Sequence, residues 1–235
     1  MIDKNLLRTK AQEHSITLSD KALEQFCTYA SELVEYNEKV NLTAITDPLG
    51  IAVKHFLDCM IPLKFMGNTK GKTLIDVGAG AGFPSLVMKI ASDLDVTCLD
   101  SLNKRILFLD YVSEKIGVKI KTHHLRAEEG GQKPHLREKF DFATARAVSS
   151  LSTLCEYCLP FVKVGGYFVA LKGFEVEEEL KTAQNAVKIL GGEVENVFKY
   201  DLDEENKRSV VLIKKVRPTP PKYPRNSAKM SKSPL

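Results

Sequence analysis

Asp76, Gly78, Gly80 and Gly82 stand within seven residues, in the stretch Leu74-Ile75-Asp76-Val77-Gly78-Ala79-Gly80-Ala81-Gly82-Phe83-Pro84. An apolar run ending in alternating glycines lets the chain turn sharply and approach a ligand that side chains would obstruct. The spacing G-x-G-x-G is one residue short of the dinucleotide fingerprint G-x-G-x-x-G, which argues against NAD. A carboxylate at Asp76 repels a pyrophosphate but suits a ligand bearing an ammonium group, such as the methionine part of S-adenosylmethionine (SAM). Asp100 follows Gly80 by 20 residues and ends the next apolar run, where a carboxylate holds two ribose hydroxyls. Arg126-Ala127-Glu128-Glu129 follows a third run, which places Ala127 and Glu128 beside an adenine. A solvated charged loop is the alternative there.

A fourth run, Asp141-Phe142-Ala143-Thr144-Ala145-Arg146-Ala147, ends on an arginine. The Asn/Asp-Pro-Pro-aromatic sequence of amino-methylating enzymes is absent, and so is a Pro-Cys nucleophile loop. The fork of Arg146 suits a phosphate, a carboxylate or the acceptor edge of guanine. An acceptor atom that already carries a free lone pair, as guanine N7 does, needs positioning rather than a general base. Oxygen and small-molecule acceptors fit the same reasoning. Lys172, closing a fifth run in Tyr167-Phe168-Val169-Ala170-Leu171-Lys172-Gly173, brings a second cation to the same edge, for substrate phosphate or for solvent.

These residues need a sheet to bring them together. The pattern predicts strands over Thr73–Val77, Asp95–Leu99, Lys119–Thr122, Phe140–Ala145, Gly166–Leu171, Val194–Tyr200 and Arg208–Lys214. Helices are expected over Phe83–Ile90, Lys104–Ile116, Leu151–Val162 and Glu175–Leu190. The early apolar runs read as parallel strands covered on both faces. The polar linker Asp201-Leu202-Asp203-Glu204-Glu205-Asn206-Lys207 is too short for a crossover helix, so the last two strands form a hairpin. The fold class is therefore α/β: a Rossmann-like SAM-dependent methyltransferase with a mostly parallel seven-stranded sheet, one antiparallel strand and an N-terminal helical extension. The extension, residues 1–65, carries Leu23, Phe26, Cys27, Ala30, Leu33 and Val34 at helical spacing, and a second helix over Ile51–Leu63. The methyltransferase domain spans 66–216, and a basic, Pro-rich tail spans 217–235, expected to be extended or disordered on its own.

Charge is unevenly divided. From Lys214 to Leu235 there are seven basic residues and no acidic ones, which leaves 27 basic against 30 acidic in the rest. A basic end on a near-neutral body points to a polyanion such as nucleic acid, with a solubilising tail as the plainer reading. Five irregularly spaced cysteines fit a reducing compartment; Cys155 and Cys158 read as core packing. His123 and His124 read as structural, and no metal site is expected. No apolar stretch is long enough to span a bilayer, and the N-terminus lacks a secretory pattern, so a cytoplasmic location with no membrane contact is the expectation.

The ordered set of motifs resembles the bacterial 16S ribosomal RNA guanine-N7 methyltransferase family, RsmG, also called glucose-inhibited division protein B. It runs through Tyr36-Asn37-Glu38-Lys39-Val40-Asn41-Leu42-Thr43, His55-Phe56-Leu57-Asp58, the glycine turn, Asp100-Ser101-Leu102-Asn103-Lys104-Arg105, Arg126-Ala127-Glu128, Ala145-Arg146-Ala147, Leu171-Lys172-Gly173 and the tail Tyr223-Pro224-Arg225. The resemblance covers nearly the whole chain. It implies SAM-dependent methylation of guanine N7 in the 530 loop of 16S ribosomal RNA, within the small ribosomal subunit; a monomer is the separate expectation for its assembly. It also implies SAM contacts at Gly78, Phe83, Ala127, Glu128 and Arg146, and an active-site or RNA-facing place for Asn41, His55, Lys172 and Arg225. The catalytic set is thus Arg146, Asn41, His55 and Lys172. The cofactor set is Asp76, Gly78, Gly80, Gly82, Phe83, Asp100, Ala127, Glu128 and Arg146. The RNA-binding set is Lys172, Lys222, Arg225, Lys229 and Lys232. Three plainer roles stay open: Asn41 locking a turn, His55 as a core histidine, and Phe83 packing on the sheet. A SAM-dependent small-molecule methyltransferase and a catalytically inactive RNA-binding protein are the alternatives.

Overall fold

The computed structural model describes residues 2–146 and 149–235; Ala147, last residue of the Ala145-Arg146-Ala147 motif, lies outside them. Seven strands form one sheet in the order β3-β2-β1-β4-β5-β7-β6. They are β1 (Thr73–Val77), β2 (Asp95–Asp100), β3 (Lys121–His124), β4 (Phe140–Arg146), β5 (Val162–Gly173), β6 (Gly192–Asp201) and β7 (Lys207–Lys215). β1 to β5 run parallel, and β7 runs antiparallel to both β5 and β6. The reversal follows from the short link before β7, where the Asp203 carboxylate accepts the amides of Glu205 and Asn206 and fixes a turn. The strand order reverses direction beside β1, so the loops after β1 and β4 diverge and open a crevice at the carboxyl edge.

Strand periodicity divides the core. On β1, Leu74 joins one apolar cluster while Ile75 and Val77 join the cluster on the opposite face. The second cluster holds α8 (Leu151–Cys158), α9 (Glu177–Ile189) and the buried Tyr223 of the tail. Cys155 and Cys158 lie inside it, fully buried and unbonded to each other. On the first face lie α5 (Ser85–Ala91) and α6 (Asn103–Lys115).

The N-terminal segment packs onto α5 and α6. Helix α1 (Lys4–Glu13) is capped by Asp3, and α2 (Asp20–Val40) by Ser19, each accepting amides of its first turn. α1 was not foreseen; its buried face is only Leu7 and Ala11, too few apolar positions for a periodic signal. Phe26, Tyr29 and Phe56 are fully buried against Phe83, Leu86, Val87 and Phe108. Each such ring stabilises the fold by roughly 1.5–3 kcal/mol. The second helical segment is less regular than expected. An α-turn α3 (Pro48–Gly50) leads into a π-helical stretch Ile51–Leu57, then α4 (Asp58–Met60) and a 3₁₀ stretch Ile61–Phe65.

The tail packs against the body of the chain. Its end forms α10 (Ser227–Lys232), capped by Asn226, with Met230 buried. Arg137 donates to the carbonyls of Thr219, Pro220 and Tyr223, and Arg225 pairs with Glu156. The prolines that deny this segment regular structure leave its carbonyls free for the arginine.

Candidate active site

Two adjoining cavities occupy the crevice. The first, about 230 Å³, is lined by Gly78 after β1, Asp100 at the end of β2, Ser101 after it, and Ala127 and Glu128 of α7 (Ala127–Gly130) after β3. Leu154 and Tyr157 of α8 and Ser227 of the tail complete it. The second, about 500 Å³, is lined by Lys54, His55, Asp58, Arg146, Lys172 and Arg208, among others. Ser149 lines the first cavity, and its carbonyl accepts from Lys172 Nζ of the second at 2.9 Å, so the two share a wall there.

In the first cavity Asp100 Oδ2 accepts the amide of Gly80 at 2.9 Å and Arg105 Nη1 at 3.3 Å, while Oδ1 accepts the amide of Leu102 at 2.9 Å. One lone pair of Oδ1 remains open to a hydroxyl. Gly78 and Gly80 have φ of +81° and +60°, and a Cβ at Gly78 would meet no atom of the described residues within 4 Å, so the backbone there is uncovered by them. Gly82 differs: a Cβ would strike Tyr29 Oη at 2.7 Å and Leu86 at 2.9 Å. Gly82 therefore admits α2 to the turn, where Tyr29 donates to the Ala81 carbonyl. Asp76 is wholly buried; Oδ2 accepts the amide of Ser85 at 3.2 Å, and Oδ1 has no partner among the described residues. Burial pushes its carboxyl up to about 6. An orphaned buried carboxylate oxygen, an uncovered glycine backbone and a half-filled Asp100 fit the ammonium, carboxylate and ribose groups of SAM.

The second cavity centres on Arg146. Nη1 donates to the Lys54 carbonyl at 3.1 Å and approaches Asp58 Oδ2 at 3.5 Å; Nη2 donates to His55 Nδ1 at 3.1 Å. The guanidinium lies 4.9 Å above the Phe83 ring, which stacks on His55 at 4.3 Å. The π-helical stretch makes this possible. The Asp58 amide bonds the carbonyls of Val53 and His55 and passes over that of Lys54, which turns to Arg146. Burial, with Arg146 beside it, pushes His55 down to about 4, so the ring is neutral at physiological pH. With Nδ1 accepting from Arg146, Nε2 carries the proton and donates to Thr43 Oγ1 at 2.8 Å. Burial raises the Asp58 carboxyl, against the pull of Arg146 and Arg208; Tyr200 donates to its Oδ1 at 3.1 Å. Both ring nitrogens of His55 are engaged, and Asp58 is held among donors. The pocket therefore orients and desolvates a bound group rather than taking a proton from it.

Asn41 ends α2 at φ +48° and is not among the residues lining either cavity. Lys172 is buried and paired with Glu179 at 2.8 Å. Arg225 gives Nε and Nη2 to Glu156 and Nη1 to the Ser233 carbonyl, so its fork is engaged inside the chain. Lys222, Lys229 and Lys232 are exposed. Sequence reasoning passed over Asp58, although it ends the quoted His55-Phe56-Leu57-Asp58 run. It had no signal for Tyr157, Arg208 or Ser227, which reach the crevice from three separate elements.

The sheet and its crevice define a SAM-dependent methyltransferase of the Rossmann-like class. A geranyl diphosphate methyltransferase solved with SAM shares the fold, with a TM-score of 0.53 and 11% identity over 68% of this chain and 85% of that one. A family model described as rRNA small subunit methyltransferase G matches residues 22–210. Curated proteins named ribosomal RNA small subunit methyltransferase G are similar over 95% of both chains: 49% identical in Lactobacillus johnsonii and 49% in Bacillus velezensis. The chain belongs to the rRNA small subunit methyltransferase G family.

Proposed function

We propose that the chain methylates N7 of a guanine in the 530 loop of 16S ribosomal RNA within the small subunit, using SAM, as a cytoplasmic monomer. The observation that carries this reading is a cavity set by Asp100, Gly78 and Glu128 lying beside a cationic cavity around Arg146. When bound, SAM supplies the methyl group: the N7 lone pair forms the new bond to carbon, the carbon–sulfur pair stays on sulfur, and no proton moves. The chain's residues bind and orient. Asp100 takes the ribose, Ala127 and Glu128 flank the adenine, and Asp76, Gly78 and Arg146 receive the amino-acid end. Phe83 supports Arg146 from below, and His55 and Asp58 fix its rotamer. A cationic product is best tolerated beside the Asp58 carboxylate and the Lys54 carbonyl rather than beside further positive charge. Lys222, Lys229 and Lys232 offer phosphate contacts from the tail, with affinity falling as salt rises.

The test is transfer of labelled methyl from SAM to under-modified 30S subunits, with the modified nucleotide mapped. Label at N7 of one 530-loop guanine is expected. No label on a confirmed unmodified target, with SAM binding intact, overturns the substrate assignment and favours a small-molecule acceptor or an inactive binder.

A further inference from the structure

Phe174 belongs to none of the three apolar clusters of the core. It is half-buried on the link between β5 and α9, with Lys199 Nζ 4.2 Å and Lys207 Nζ 5.5 Å from its ring centre. Its location is specific. Gly173 and Arg208 face each other across the β5–β7 ladder, and both line the cationic cavity. Phe174 follows Gly173, and Lys207 precedes Arg208, so the aromatic and its cations begin one residue beyond the mouth of that cavity. Lys199 shares its charge with Glu177, whereas Lys207 has no carboxylate partner among the described residues. A ring flanked by cations has the composition of a single-strand platform: any base presents a π-face to the ring, and ammonium groups reach the adjoining phosphates. A buried structural aromatic would instead be packed by aliphatic neighbours.

We propose that Phe174, Lys199 and Lys207 form a platform for an RNA nucleotide flanking the target guanine, Phe174 stacking its base and Lys207 contacting its phosphate. This rests on the RNA-methylating reading above. It places RNA along the β5–β7–β6 end of the crevice, a surface distinct from the C-terminal tail.

The experiment measures kcat/KM for methylation of under-modified 30S subunits at several salt concentrations, alongside SAM affinity and Tm. The variants are Phe174→Leu, Phe174→Ala, Phe174→Tyr and Lys207→Ala. A stacked base is worth about 1–3 kcal/mol. Both Phe174→Leu and Phe174→Ala should therefore lower kcat/KM by roughly 5- to 150-fold. Phe174→Tyr should restore it, and SAM affinity and Tm should hold. Lys207→Ala should reduce the salt slope by about one. Wild-type kcat/KM in Phe174→Leu, with an active wild-type control, overturns the platform alone. A wild-type enzyme that binds SAM but does not label the subunit overturns the RNA reading, and the platform falls with it.

Discussion

At the scale of single residues, the site depends on three acceptors converging on one guanidinium. The Lys54 carbonyl, Asp58 Oδ2 and His55 Nδ1 surround Arg146 at 3.1, 3.5 and 3.1 Å. A lysine has one nitrogen and no planar fork, so it satisfies at most part of that set and does not lie flat on Phe83. Arg146→Lys should lower the single-turnover methylation rate on the order of 100-fold with little change in Tm. A loss of only a few-fold would show that charge alone suffices. Asp76 supplies a pH dependence. Its carboxyl, raised to about 6 by burial, is ionised above that value and neutral below it. If it faces the ligand ammonium, SAM affinity measured by calorimetry should fall as pH drops through 6, and Asp76→Asn should flatten the profile. In the free protein the sign is opposite. A folded-state carboxyl above its ordinary 3.8 makes this group's contribution to stability decrease as pH rises from about 4 to 6.

At the scale of elements, two irregular segments do what regular ones could not. The π-helical stretch Ile51–Leu57 releases the Lys54 carbonyl toward β4. Its sequence, Ile-Ala-Val-Lys-His-Phe-Leu, reads as an ordinary apolar helix, because apolar spacing does not distinguish an amide bonded five residues back from one bonded four back. The tail is the second. The basic residues that suggested RNA contact include one, Arg225, that holds the tail to α8 through Glu156, whose side chain is 2% exposed. That pairing carries Ser227 to the wall of the first cavity. Arg225→Met should therefore weaken SAM binding by about tenfold, the equivalent of one lost charge-assisted hydrogen bond. It should leave the salt slope of 30S binding unchanged. A slope lower by about one, with SAM affinity intact, would instead assign Arg225 to a phosphate.

At the scale of the whole molecule, the N-terminal segment is part of the same core as α5 and α6 and part of the same site. Thr43, His55 and Asp58 come from it, while Arg146, Tyr200 and Arg208 come from β4, β6 and β7. Phe56→Ala, which empties the centre of the shared core, should cost about 3–5 kcal/mol in denaturant unfolding and should remove methylation together with stability. Unfolding of residues 1–65 with the sheet and SAM binding retained would contradict that coupling. The strands, the principal helices, the glycine turn and the two carboxylates near the ends of β1 and β2 were readable from the sequence. Each is encoded locally, by a period of two or 3.6, by residues that tolerate positive φ, or by a polar residue at the end of an apolar run. The strand ladder was similarly constrained, because parallel crossovers and a short hairpin link leave few orders. Tertiary structure alone decided which side chains share a cavity. Tyr157, Ser227 and Arg208 meet the crevice from helix, tail and hairpin, and no sequence interval records those approaches. It also decided which charges are free, since Arg225 and Lys172 look alike in sequence as surface cations. Burial beside Glu156 and Glu179 gives both internal partners, because a charge removed from water requires compensation close at hand.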